Sequence, residues 1–541
     1  MALARIKRIL PSWQNVLLAL GSAGLLILAF PDFEIWWLAW FALVPLLWAI
    51  ERQSHCVMAC FLLGWLWGTT FFFGTCWWLA YAPIHYAAFP PLLAYSLILI
   101  ACLGAGFFPG IFALILSLLL RRFGNRALLA SPFVWVFAEF LRYWCAGNDW
   151  NALGYSQAFH IAAGLGSIGG VLLASFACVA IGATAYRAFS TRRDGPFLVS
   201  ILLPCALFVL CIGVAYIVPL VKDLTRSDGE AVSLTERAKL IALQPNVPMS
   251  GLDQSTWAQF RQRQMQMAQD EATKTFAKPM PNGPLPVLVV LPESPMNFMY
   301  NDDPEFQRFI GDFARRNNVS VLFNSAEPDH GTTKYFNSAV MVGPDGREVA
   351  EYDKIYLLPF GEAVPPPLDG IMPGFVGNFA YGRKYDLLPV GDAKAGVMIC
   401  FESHFGQLSR RFVQDGADVI IEMTNDGYLG PTPVLRQHLA NAVFRAVETN
   451  RPVLRVTNVG ISAYITESGQ VLDATQPYQE DTRVWSVSKS DGSQTFYVKY
   501  GDWFAWLCVA VTIVLLIVGM RKRRSVPSAQ REDEVAEART Q

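Results

Sequence analysis

Two regimes of hydrophobic patterning divide the chain. Up to residue 221, and again over 503–520, apolar residues run on for lengths that cross a bilayer core of about 30 Å. These runs predict membrane spans at 13–30, 35–50, 57–80, 91–120, 128–145, 161–186 and 197–220, with an eighth at 503–520. The second is short. The fourth is long and interrupted by Gly104, Gly106, Pro109 and Gly110, which predicts a tilted or bent helix.

From 238 onward short apolar runs alternate with amphipathic ones. The pattern predicts strands at 239–244, 287–291, 319–324, 396–400 and 419–423, and helices at 252–276, 304–316 and 434–449. Residues 336–342 pair with 348–353 across the Gly343-Pro344-Asp345-Gly346 turn, and 461–465 with 470–472 across Ser468-Gly469. Strands and helices alternate first and hairpins enter later, so a layered α/β domain with a mixed sheet is expected. The domain plan is a helical membrane domain of seven spans over 1–220, a polar domain over 221–502, the eighth span, and a tail over 521–541 expected to be disordered.

Charge placement orients this plan. Basic residues follow or precede alternate spans: Arg5, Lys7 and Arg8; Arg52; Arg121, Arg122 and Arg126; Arg187, Arg192 and Arg193; and Arg521, Lys522, Arg523 and Arg524. Loops 31–34, 81–90 and 146–160 hold no Lys or Arg. By the positive-inside rule both termini are cytoplasmic and 221–502 lies outside the cytoplasm. The first segment then reads as a signal anchor rather than a removable signal peptide. The clusters Trp36-Trp37, Phe71-Phe72-Phe73, Trp77-Trp78 and Trp144 read as interface anchors at the outer ends. Glu139 and Arg142, three residues apart near the outer end of the fifth span, either line a substrate-contacting cavity or form a structural ion pair.

Composition agrees: 53% hydrophobic and 16% charged residues exclude an ordinary soluble chain. The net charge of −1, without a basic stripe, gives no reason to expect a nucleic-acid partner.

Of the ten cysteines, only Cys400 lies in the polar stretch between Val221 and Trp503, so that domain cannot hold an internal disulfide. It ends the apolar run Ala395-Gly396-Val397-Met398-Ile399, as a nucleophile at a strand end would; a buried structural thiol is the bland alternative. Glu293 in Leu291-Pro292-Glu293 and Lys354 in Asp353-Lys354 also stand where strands end, and in layered α/β domains such ends converge. The three suit one another chemically. A carboxylate takes the thiol proton, and an ammonium favours thiolate and then stabilises an oxyanion beside a backbone N–H. His404, four residues past Cys400, is the rival base of a Cys–His dyad. Glu362, in the loop downstream of Lys354, either orients it by charge or is solvated. The six histidines form no His-x-x-x-His pair, so neither metal nor cofactor is expected.

Leu291-Pro292-Glu293, Asp353-Lys354 followed by Pro359-Phe360-Gly361-Glu362, and Ile399-Cys400-Phe401-Glu402 resemble the nitrilase superfamily, with its Glu–Lys–Cys triad and α-β-β-α sandwich. With seven spans before and one after, the chain resembles the membrane-embedded branch, the bacterial apolipoprotein N-acyltransferases. Glu139-Phe140-Leu141-Arg142, Leu153-Gly154-Tyr155-Ser156-Gln157, Thr424-Asn425-Asp426 and Arg451-Pro452-Val453-Leu454-Arg455 extend the resemblance over roughly the full length. It departs at Phe401, at Gly427-Tyr428-Leu429 and at Gly251-Leu252-Asp253, where the family carries other aromatics.

The resemblance implies an extracytoplasmic nitrilase-like domain at the bacterial inner membrane, on the periplasmic side, and a monomer. It implies that Cys400 takes an acyl chain from a phospholipid and passes it to the α-amino group of a diacylglyceryl-modified lipoprotein. Glu293 is then general base, Lys354 stabilises the tetrahedral intermediate, Glu362 and Asn425 support the site, and Phe401 and Glu402 flank the nucleophile. A membrane-anchored amidase that releases its thioester to water is the nearest alternative, and a transporter or receptor with a sensing domain is one from another class. Eight spans exceed what an anchor requires, and a binding domain has no use for Glu, Lys and Cys at strand ends.

Overall fold

The structure is a computed structural model that describes residues 9–190, 205–206, 208–215, 236–278, 283–293, 298–359, 361–364 and 379–521. Its N-terminal part is helical: α1 (Trp13–Ala29), α2 (Val44–Gln53), α3 (Val57–Cys76), α4 (Pro91–Phe123), α5 (Ser131–Ala146) and α6 (Val171–Ser190). Among the described residues four stretches are long and apolar enough to cross a membrane: Val57–His85, Pro91–Ala146, Val171–Ser190 and Trp503–Met520. The second of these is two helices, α4 and α5. α3 and α4 pack backbone to backbone: a Cβ on Gly68 would come within 2.8 Å of Gly106 Cα, the close approach that small residues permit between membrane helices.

Two expected spans hold helices shorter than their apolar runs. Over 35–50 the chain forms a 3₁₀ turn, Trp36–Trp40, and then the ten-residue α2, which begins at Val44 with Pro45 in its first turn and covers only about half the bilayer core. Over 161–186 the first ten residues are two short turns, and the continuous helix starts at Val171. Gly164, Gly166, Gly169 and Gly170 interrupt it, and Gly170 has φ 69°. The expected bend of the fourth span falls within one unbroken 33-residue helix that contains Pro109. Most of the seventh span, all of the C-terminal tail past Arg521, and the N-terminal basic residues lie outside the described residues.

The polar stretch folds into two mixed sheets. The first contains β1 (Glu236–Gln244), β2 (Val287–Val290), β3 (Ser320–Pro328), β4 (Tyr335–Val342), β5 (Glu348–Asp353), the two-residue β6 (Phe379–Ala380) and β13 (Asp481–Ser488). The second contains β7 (Leu388–Val390), β8 (Ala393–Ile399), β9 (Val419–Thr424), β10 (Val453–Thr457), β11 (Ala463–Ile465) and β12 (Val471–Leu472). Their orders are β13-β1-β2-β3-β4-β5, with β6 on β4, and β12-β11-β10-β9-β8-β7. The strands β1-β2-β3 and β8-β9-β10 are parallel, and antiparallel strands extend both edges of each.

Period-2 alternation assigns each face. Ile241, Leu243, Val287 and Val289 pack with Met265 and Ala268 of α7 (Gln254–Ala277) and with Phe306, Ile310 and Phe313 of α8 (Pro304–Asn317). Their neighbours Leu240, Ala242, Leu288 and Val290 join one core with Val397, Ile399 and Ile421 of the second sheet. That core continues to Leu408 and Phe412 of α9 (Gly406–Gln414) and Leu439 and Phe444 of α10 (Val434–Thr449). Helix, sheet, sheet and helix follow in layers, the α-β-β-α sandwich that the resemblance implies.

α10 also faces the membrane helices. Gln437 accepts from the Trp78 and Trp150 indoles at 3.2 and 3.3 Å and donates to Thr75 O at 3.0 Å. Arg436 pairs with Glu34. The last helix, α11 (Trp503–Arg521), returns beside this contact, its Trp503 Nε1 donating to Ile168 O at 2.8 Å.

Candidate active site

Three side chains that are 61 and 46 residues apart along the chain meet at the strand ends. Glu293 follows β2, Lys354 follows β5, and Cys400 is the first residue past β8 rather than its last. The Lys354 ammonium is 1% exposed, 2.8 Å from Glu362 Oε1 and 3.6 Å from Glu293 Oε1. The Glu293 and Lys354 charges both act on the Cys400 thiol, with Thr424 beside it.

Each of the three is held. Asn337 Nδ2, from β4, donates to Glu362 Oε1 at 2.6 Å and to Glu293 Oε1 at 3.2 Å, so one amide sets the spacing of both carboxylates. The Asn425 N–H donates to Glu293 Oε2 at 3.2 Å. Glu362 Oε2 accepts from the Leu358 N–H at 2.7 Å, which fixes it on its own loop. Of the two options left by the sequence, orienting Lys354 is the one realised.

Glu402 is fully buried and does not face the thiol. Its Oε1 accepts from Tyr352 Oη, Ile355 N and Tyr356 N at 2.8, 2.7 and 3.1 Å, and its Oε2 from Ile399 N at 2.9 Å. It thereby ties the loop after Lys354 to the strand before Cys400. Burial raises its pKa to about 7 against those donors. The Phe401 ring packs inward on His404 and Phe405.

The electrostatics refine one expectation. Burial, then the Glu293 carboxylate, push the Cys400 thiol well up, and Lys354 opposes them without prevailing. Lys354 therefore does not leave a standing thiolate; the proton has to leave as the sulfur attacks. Burial and Glu362 raise Glu293, with Lys354 opposing, which makes its carboxylate a stronger base for that proton. Burial works against the Lys354 charge, but Glu362, Glu293 and Cys400 together hold its pKa above the ordinary value.

His404 is not a base for this thiol. Its Nδ1 lies 2.7 Å from Phe401 O, its Nε2 accepts from Asn441 Nδ2 at 3.2 Å, and Trp150 stacks on the ring at 4.1 Å. Burial drives its pKa well below the ordinary value, so the ring is neutral and both nitrogens are engaged.

Glu139 and Arg142 do not pair with each other, and none of their contacts reaches Cys400, Lys354 or Glu293. Glu139 Oε1 accepts from Leu153 N at 2.8 Å, while Arg142 lies 5.0 Å over the Phe72 ring. Both line a small, largely apolar cavity between α1, α3, α4 and α5. Asn337, Tyr352 and His438 are the contributors that sequence reasoning missed. Asn337 and His438 are single polar residues within a strand and a helix with no motif around them, and Tyr352 adjoins the Asp353-Lys354 motif without a role readable from it.

The layered fold with Glu, Lys and Cys at its strand ends defines a carbon-nitrogen hydrolase, and residues 230–495 match the carbon-nitrogen hydrolase family model. Residues 22–184 match the apolipoprotein N-acyltransferase N-terminal domain. An apolipoprotein N-acyltransferase of Geobacter metallireducens is 30% identical over 528 residues, covering 94% of this chain and 96% of that protein. One of Thermotoga maritima is 32% identical over 53% of each chain. The chain belongs to the apolipoprotein N-acyltransferase family, membrane enzymes of the carbon-nitrogen hydrolase superfamily. Among solved structures it is similar to a carbon-nitrogen hydrolase of Helicobacter pylori, with 18% identity, 46% of this chain and 88% of that chain covered, and a TM-score of 0.34.

Proposed function

We propose that the chain transfers an acyl group from a membrane phospholipid to the α-amino group of the N-terminal diacylglyceryl-cysteine of a lipoprotein, through a thioester on Cys400. The observation that carries this is the meeting of Glu293, Lys354 and the Cys400 thiol in one cluster beside membrane helices. Glu293 takes the thiol proton as sulfur attacks the ester carbonyl. Lys354 and the Phe401 N–H stabilise the oxyanion. The C–O bond breaks, Glu293 returns the proton to the departing lysophospholipid, and the thioester remains. The acceptor amine attacks next, Glu293 takes its proton, and the carbon–sulfur bond breaks to restore the thiol.

Two lipid-anchored substrates account for the membrane part. The domains are a seven-span region over 1–220, a periplasmic domain over 221–502 and an eighth span over 503–520, with both termini cytoplasmic in the inner membrane. The basic-loop alternation supports this orientation. The protein acts as a monomer.

The test loads purified enzyme with labelled phospholipid, removes excess donor, and chases with buffer or with a diacylglyceryl peptide bearing a free amino terminus. Transfer to peptide with slow loss in buffer is expected. Rapid release of free fatty acid in buffer would replace the transferase with a hydrolase, and absence of a Cys400 adduct would remove both.

A further inference from the structure

Cys400 has φ 52°, a left-handed conformation unfavourable for a residue with a Cβ and kept only where neighbours over-determine it. The residue before it is pinned by Glu402 through the Ile399 N–H. The peptide after it is pinned by a side chain that the reaction described above does not use. His438, on α10, places Nε2 3.2 Å from Cys400 O and 2.9 Å from Ser403 Oγ. Its Nδ1 lies 2.7 Å from Asp426 Oδ1; a carboxylate and a carbonyl oxygen both only accept, so the ring donates both bonds, Nδ1–H to Asp426 and Nε2–H to the Cys400 carbonyl, and its orientation is fixed.

Asp426 is itself anchored. Its Oδ2 accepts from Arg455 Nη2 at 2.8 Å, and the other Arg455 nitrogen pairs with Glu422. Burial opposes the Asp426 charge, yet Arg455 and His438 outweigh it and hold its pKa below the ordinary value. The groups facing the imidazole are Asp426, Glu422 Oε1 at 3.4 Å from Nε2, Ser403, the Cys400 carbonyl, and the rings of His404 and Trp150. All its hydrogen-bonding contact with Cys400 is through the backbone carbonyl.

We infer that His438 is a positioning residue for the acyl-transfer reaction: one imidazole bridges Asp426 to the Cys400 carbonyl and Ser403, and so fixes the turn that presents the thiol and the Phe401 N–H. This rests on Cys400 being the acylated nucleophile. A glutamine side-chain nitrogen can take the place of Nε2, whereas an asparagine nitrogen can take only that of Nδ1. His438→Gln therefore keeps the bond to the Cys400 carbonyl and loses Asp426, and His438→Asn does the reverse.

The experiment measures single-turnover thioester formation on Cys400 from phospholipid, with KM and thermal midpoint, in full-length wild type and both variants. His438→Gln is expected to acylate within about tenfold of wild type and His438→Asn at least about 100-fold more slowly, with KM within about twofold and similar losses of thermal midpoint. Equal rates in the two variants, a wild-type rate in His438→Asn, or an effect on KM alone would overturn the inference. A wild type that forms no Cys400 adduct would instead overturn the thioester mechanism itself.

Discussion

Glu362→Gln isolates the electrostatics of the site, because it keeps the shape of the side chain and removes one charge. Glu293 and Glu362 both bond Asn337 Nδ2, at 3.2 and 2.6 Å, so their oxygens lie within about 6 Å; at an effective dielectric of about 20 their repulsion is on the order of 3 kcal/mol. That repulsion is one of the causes that raise Glu293. Removing it lowers the Glu293 pKa. The enzyme works with Glu293 ionised, so the acid limb of the kcat/KM profile moves to lower pH in the variant. Lys354 keeps a carbonyl partner in place of a carboxylate, so its bond stays charge-assisted through the ammonium but loses the opposite charge; a loss of about 1.4 kcal/mol corresponds to tenfold in kcat. Single-turnover acylation measured across pH, beside wild type, gives both quantities. An acid limb that stays in place or moves to higher pH would show that Glu362 does not act on Glu293 through charge.

Lys354→Arg keeps the charge but puts a broad planar fork into a pocket that leaves the ammonium 1% exposed, so thioester formation should fall on the order of 100-fold or more; an unchanged rate would remove Lys354 from oxyanion stabilisation. His404→Ala loses two buried hydrogen bonds and a stacked ring, about 2–4 kcal/mol, so the thermal midpoint should fall while the acylation rate per folded enzyme stays within about tenfold; a loss equal to that of Glu293→Ala would restore the Cys–His dyad. Glu402→Gln leaves the buried Ile399 N–H facing an amide NH₂, about 1–3 kcal/mol, and should lower both the thermal midpoint and the acylation rate; a variant with wild-type values of both would show that this tie does not hold the turn.

The sequence by itself determined what depends on neighbours along the chain. The short continuous apolar runs specify β2, β8 and β9, the 304–316 amphipathic pattern specifies α8, and the strand-end placement of Glu293, Lys354 and Cys400 identifies the cluster before any distance is known. Long apolar runs likewise mark α1, α3, α4 and α11. What apolarity cannot specify is where a helix is interrupted. The start of α2 beside Pro45 and the glycines of 164–170 shorten two expected spans, because the backbone constraint of proline and the freedom of glycine, rather than hydropathy, set those ends.

Only the tertiary structure decided between chemically equal candidates. His404 is four residues from the nucleophile, yet its nitrogens are taken by Phe401 O and Asn441. His438, 38 residues away, is the histidine that touches Cys400. Glu362 and Glu402 are both carboxylates near the motif residues; one grips Lys354 and the other ties two backbones together. Burial does the rest. A thiol beside a lysine reads as easily ionised in sequence, but desolvation and Glu293 push it the other way, and desolvation is a property of the packed layers rather than of any stretch of residues.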